Sequence, residues 1–200
     1  MSTNPTLLQV DFSWKKFKGL ITYADSPSPE QQPLYIVDWN AIKSPHLVFT
    51  RPSENRTIGT GTLHAVRINA DFEVAGRKGT LVAQKRFKTL YTHQSYAFSE
   101  DPHKPVTLTW TSSSGFTNWD FVCVDERQRA VARYRAKIWG VKKIGYIEFA
   151  DSEAEGTLSE AARDEIVVTG MTLFYCMWLR VNNIFSLFGS AFHRTGGSKS

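Results

Sequence analysis

Cysteine pairs, metal-ligand spacings and catalytic motifs are what this chain lacks. Its 200 residues include two cysteines, Cys123 and Cys176, each among apolar neighbours. That pattern points to reduced, buried thiols in a cytoplasmic protein rather than to a disulfide-stapled secreted domain. The five histidines, at 46, 64, 93, 103 and 193, share no metal-ligand spacing, so neither a metal nor a cofactor is expected. Neither Gly-x-Ser-x-Gly nor His-Glu-x-x-His occurs. Gly59-Thr60-Gly61 lacks the lysine and following helix of a phosphate loop, and reads instead as relief of crowding at a bend or a close backbone approach. Nothing positive supports an enzyme. Met1 to Thr6 has neither the basic nor the apolar region of a secretory signal, so the sequon at Asn55-Arg56-Thr57 carries little weight.

Charge is missing from one long stretch, Ile166 to Leu179. Arg180, Asn182 and Asn183 separate it from a second apolar run, Ile184 to Phe192. A segment apolar on every side must be buried in protein or in lipid. A spanning helix needs roughly 20 mainly apolar residues. Extending the first run to Phe188 would place Arg180 well inside, at about 2.5–3.5 kcal/mol on insertion scales. The expectation is a helix over about 159–188, buried in a protein shell, with no transmembrane span. Ser159 and Glu160 suit its start, and Asp164 and Glu165 suit an early turn where the helix dipole favours acids. A hydrophobic content of 42%, with Pro and Gly confined to short turns, suits one domain with a sizeable core.

What the chain has in quantity is strand-like alternation. Leu34–Trp39, His46–Thr50, Thr80–Phe87, Val106–Trp110, Trp119–Val124, Ala130–Trp139 and Ile144–Phe149 all read as strands, bounded by Pro, Gly or polar turns. Residues 57–74 alternate throughout, with a bend expected at the glycines or near Asn69. From His64 onward the even-numbered face is drier, which makes His64 a hydrogen-bonded core histidine. A hairpin turn is expected at Gly76–Gly79. Strands of this number and spacing point to a sandwich or barrel, and a barrel closed around one apolar helix accounts for both halves of the pattern. The predicted organisation is an N-terminal extension at 1–20, with Phe12, Trp14 and Phe17 packed on the barrel edge. One mainly β domain follows at 21–192, and a disordered tail at 193–200.

The net charge is +5, unevenly spread. No acid falls between Glu73 and Glu100 or between Glu126 and Glu148, while 151–165 is acidic apart from Arg163. Such segregation is a hint of an anionic partner; the plain alternative is that strands put charges on their wet faces. Arg133, Arg135 and Lys137 fall on one face of their strand, spaced by about 6–7 Å, which suits several phosphate oxygens at once. Lys85, Arg86 and Lys88 would add to that row if their strand lies nearby. Trp139, just beyond it, suits either a membrane interface or a barrel cap. Tyr134 falls on the opposite, drier face, which counts against a stacking platform for nucleic acid.

The order of many antiparallel strands and then one hydrophobic helix resembles the tubby C-terminal-like group: tubby-like proteins, LURP-one-related proteins and phospholipid scramblases. The likeness lies in Pro33–Val37, Thr57–His64, the paired Phe121–Val124 and Ala130–Tyr134, and Asp164–Gly170 opening the helix. It is greatest to small uncharacterised fungal members. The resemblance implies an antiparallel closed β-barrel of about twelve strands around a buried C-terminal helix, and phosphoinositide binding through basic side chains on the outer surface. No headgroup motif of the group aligns here. Asp151-Ser-Glu-Ala-Glu155 lies where scramblases bind calcium but lacks the ligand spacing.

Three readings stand at this point. The first is a non-enzymatic cytoplasmic barrel, peripheral at membranes, that takes anionic lipid headgroups on Arg133, Arg135, Lys137, Lys85, Arg86 and Lys88. The second is a structural or protein-interaction barrel. The third is an enzyme or small-ligand carrier with a pocket beside the central helix.

Overall fold

A computed structural model describes residues 7–13, 16–25, 32–64, 67–85, 88–114, 118–137, 143–150 and 158–193, without the side chains of 113–114, 118, 143 and 181–193. Twelve antiparallel strands follow one another around a closed barrel: β1 (Leu7–Ser13), β2 (Lys18–Tyr23), β3 (Tyr35–Trp39), β4 (Leu47–Arg51), β5 (Arg56–Leu63), β6 (Ala70–Val74), β7 (Arg77–Ala83), β8 (Leu90–Ser95), β9 (Val106–Ser114), β10 (Asn118–Val124), β11 (Ala130–Lys137) and β12 (Lys143–Phe149). Each pairs with its chain neighbours, and β1 closes the ring on β12. The helix α1 (Glu160–His193) runs past the expected end at Phe188. Among the described residues no helix is long and apolar enough to cross a membrane.

The barrel is filled by α1. Ile166, Val167, Val168, Met171 and Leu173 are fully buried, and Asp164 to Cys176 is buried without interruption, so the charge-free run has protein on every side. Inward side chains meet it from the wall, among them Trp110, Tyr134, Phe49, Leu81 and Leu108. The glycines of β5 are where helix and wall come closest. A Cβ on Gly59 would lie 2.8 Å from Val168 and 2.5 Å from the Glu73 carbonyl oxygen, and one on Gly61 would lie 2.4 Å from Thr172 Oγ1. Close backbone approach is therefore the reason for Gly59-Thr60-Gly61.

Four expectations need correction. The segment read as an N-terminal extension supplies β1 and the start of β2, and Leu8 and Val10 are fully buried. The short alternation Leu8-Gln9-Val10-Asp11-Phe12 carries that strand; Trp14 lies outside the described residues. Second, β8 was not anticipated, because its inward positions are Tyr91, His93 and Ser95 rather than aliphatics. Third, His64 is not a core residue: the 57–74 stretch does break between Leu63 and Ala70, near Asn69 as expected, with Ala70, Phe72 and Val74 the drier face, but a register shift in the β4–β5 ladder changes the phase before the break. Gly59, Gly61 and Leu63 consequently face inward, and His64 is partly exposed, hydrogen-bonded through Nε2 to Asp71 at 2.8 Å. Fourth, the β6–β7 turn is Ala75-Gly76, both at positive φ (49° and 77°), a two-residue hairpin geometry. Gly79 sits within β7, where a Cβ would strike the Phe72 ring. The expected tail beyond His193 lies outside the described residues.

Strand directions sort the connections between two mouths. Residues 14–17, 40–46, 64–69, 84–89, 115–117 and 138–142 join strands at one mouth; the other connections and the start of α1 lie at the opposite one. At the start mouth the helix is tied down by buried polar groups. Arg51 Nη2 donates to both Asp164 oxygens, at 2.6 and 2.9 Å, and Tyr35 Oη donates to Asp164 Oδ1 at 2.6 Å. Arg51 Nη1 reaches Glu54 at 2.7 Å and also Glu160. Burial alone would lower the Arg51 pKa, but the hydrogen bonds to Glu54 and Glu160 and the Asp164 charge outweigh it and raise it. At the exit mouth Arg180 donates to Tyr91 Oη at 2.5 Å and Trp39 packs on Tyr175.

Candidate functional site

The cations selected from the sequence divide between wall and mouth. Arg133, Arg135 and Lys137 do alternate on the outer face of β11, all exposed, with Ala132, Tyr134 and Ala136 turned inward. Two of the three are engaged. Arg133 Nε lies 3.5 Å from Asp120 Oδ1 on β10, an ion contact short of hydrogen-bond geometry. Arg135 Nη2 donates to Glu148 Oε2 on β12 at 2.5 Å. Lys85 and Lys88 flank the β7–β8 connection and are exposed; Arg86 lies outside the described residues, as does Trp139. Three strands separate β7 from β11, so the Lys85 group stands roughly 19 Å around the wall from the β11 row at ~4.8 Å per strand. The single row anticipated does not form.

A different grouping does. Lys85, Lys88 and Lys137 all reach the exit mouth, where Lys16, Lys43 and Arg67 join them, each exposed. None of the six has a carboxylate within ion-pair distance among the described residues. The connections at this mouth contain no Asp or Glu at all. Among their described residues, those at the opposite mouth hold Asp25, Glu54, Glu100, Asp101, Asp125 and Glu126, while the acidic segment 151–155 lies outside the described residues. The carboxylates nearest the exit mouth stand on strands and are engaged: Asp38 with Lys18 at 2.9 Å, and Asp71 with Thr80 and His64. Burial would raise the Asp71 pKa, but its hydrogen bonds from Thr80 and His64 hold it below the ordinary carboxylate value. His46 at the same mouth is lowered, first by burial and then by the nearby His64, and its Nδ1 accepts the Leu63 N–H at 3.1 Å.

Apolar side chains stand among these cations. Ile42, beside Lys43, is 91% exposed, and Phe17, beside Lys16, is 53% exposed. The helix leaves through the same mouth. From Arg180 to His193 it continues for roughly 20 Å at 1.5 Å per residue. Chemically, this mouth offers cations to an anionic surface and apolar groups to whatever lies beneath it.

The β11 row was legible because strict alternation marks a wet face. The mouth was not, because its residues are dispersed over segments far apart in sequence and only the meander assembles them. Comparison of the chain with family models, curated proteins and solved structures finds no match.

Proposed function

We propose that this protein is a non-enzymatic, peripheral membrane-binding barrel that docks on anionic phospholipid by its exit mouth. The observation that carries the reading is the sorting of charge along the barrel axis: acid-free connections with exposed Ile42 and Phe17 at one mouth, acidic connections at the other. Juxtamembrane cations contribute about 1 kcal/mol each near an anionic surface. The apolar tips Ile42 and Phe17 add burial at the headgroup boundary. On this reading Lys85, Lys88 and Lys137 face the headgroups, whereas Arg133 and Arg135 serve mainly the wall's own ion pairs. The tubby-like resemblance supports the same class of partner, and membership in that group is part of the proposal. Two free, buried thiols fit a reducing, cytoplasmic setting.

Vesicle flotation tests it. Vesicles containing phosphatidylserine or a phosphoinositide should carry the protein at low salt and release it as salt rises. Phosphatidylcholine vesicles should not carry it. Lys85→Ala/Lys88→Ala/Lys137→Ala should weaken binding by roughly a hundredfold, from about 3 kcal/mol for three cations. Ile42→Asp should weaken it as well, and Arg133→Ala/Arg135→Ala should change it little. Absence of flotation at low salt, or loss only in the Arg133/Arg135 variant, would overturn the proposal.

A further inference from the structure

The barrel wall is incompletely paired at one place. The β7–β8 ladder is limited to Val82↔Thr92 and Ala83↔Tyr91, with one further bond from Gln84 N–H to the Leu90 carbonyl. Toward the start mouth the two strands part. Between them opens a cleft of about 640 Å³, a volume within the ordinary range for small-ligand sites. Its walls are largely apolar, with Phe72, Val74 and Val82 on one side and Tyr96 and Pro102 on the other. Arg77 and Lys78 stand on its rim. The Arg77 guanidinium lies 4.5 Å over the Tyr96 ring, so it spans the parted strands while its N–H groups remain uncommitted to any carboxylate among the described residues.

The cleft reaches inward to a buried polar pair. His93, 2% exposed, and Glu165 of α1 both line it, and His93 Nε2 lies 3.1 Å from Glu165 Oε1. With Nε2 engaged there, His93 Nδ1 is a buried polar atom with no hydrogen-bond partner. The His93 side chain is fully covered, so this pair closes the floor of the cleft and offers no free polar atom to a ligand there. The charges of the lining are two unpaired cations at the rim and one carboxylate already engaged by histidine. An anion is favoured over a cation, and the apolar walls ask for a body to match.

We propose that the β7–β8 cleft is a binding site for a small amphipathic organic acid, of the medium-chain carboxylate kind. Its carboxylate lies at Arg77 and Lys78 and its chain between the apolar walls. The site is independent of membrane docking, since it opens toward the mouth opposite Lys85, Lys88 and Lys137.

The test is titration calorimetry of the full chain with decanoate and decanol, alongside amide chemical-shift mapping. Saturable binding of decanoate is expected, with shifts confined to residues 77–82 and 92–97. Arg77→Ala/Lys78→Ala should weaken decanoate about tenfold or more, by loss of charge-assisted contacts, and leave decanol unchanged. Lys85→Ala/Lys88→Ala should leave both ligands unaffected. Absence of saturable binding, shifts mapping elsewhere, or equal affinity of the rim variant for decanoate would overturn the proposal.

Discussion

Replacing Arg51 with alanine should cost more stability than any other single truncation of a charge in this protein. The residue is 3% exposed and holds Asp164, itself 6% exposed, with two hydrogen bonds from one guanidinium arm. Removing one partner of a buried ion pair leaves the other charge uncompensated, at about 3–5 kcal/mol. Asp164 would keep Tyr35 Oη and its place in the first turns of α1, which favours acids. The lower end, about 3 kcal/mol, is therefore expected. Against a typical stability of roughly 5–15 kcal/mol that is a large fraction. Asp164→Ala should cost less, because Arg51 retains Glu54 and Glu160 through its other arm. Those two carboxylates are half-exposed, and truncating either should cost much less. Urea unfolding followed by the fluorescence of buried Trp110 and Trp119 would read each change as a shifted midpoint at unaltered slope. In a double-mutant cycle Arg51→Met/Asp164→Leu should recover part of the loss. A loss below about 1 kcal/mol for Arg51→Ala, or strict additivity in the cycle, would refute the view that this pair seats the helix.

Two further outcomes follow from the packing and the ionisation. Gly61→Ala should destabilise by about 1–3 kcal/mol through overpacking against Thr172, and Thr172→Ala in the same chain should restore much of it, both measurable as urea midpoints. His46 has its folded pKa lowered, so the fold prefers the neutral ring. Its contribution is complete above the unfolded value near 6.5 and declines as pH falls from there through the lowered folded value. Wild-type stability should thus slope downward over that window and His46→Gln should flatten it, read by urea titrations at stepped pH. Asp71 and Asp125, both lowered, should add a separate loss only near and below about pH 4, the unfolded carboxylate range.

Much of the architecture was legible because two patterns are physically unambiguous. In Ala132-Arg133-Tyr134-Arg135-Ala136 small and aromatic residues alternate with arginines, and the pleat turns them to opposite faces. The run from Ile166 has no polar face to offer water, so it had to be the centre of something. Where the reading failed, tertiary structure had replaced the simple code. Strand β8 hides Tyr91, His93 and Ser95 because α1 and neighbouring backbone give them partners: Glu165 for His93, the Ile68 carbonyl for Tyr91, the Phe98 N–H for Ser95. For Gly59 and Gly61 a bend and a close backbone approach stood open together, because a glycine does not reveal that a helix lies against it. The candidate site depended on a non-local fact. Lys16, Lys43, Arg67, Lys85, Lys88 and Lys137 share one mouth only because alternate connections of a meander end there. The β7–β8 parting has no counterpart in composition, since Thr80 and Gln94 would suit a continuous ladder equally well.

The docking claim can be tested most directly by an environment-sensitive fluorophore at each mouth in turn. Burial raises the pKa of Cys123 and Cys176, so both should stay unreactive in the folded protein while an introduced Ile42→Cys or Glu126→Cys is labelled. On adding phosphatidylserine vesicles, the label at position 42 should shift to the blue as it enters the headgroup boundary, and the label at position 126 should not move. A blue shift at 126, or equal response at the two positions, would contradict docking by the mouth from which the helix emerges.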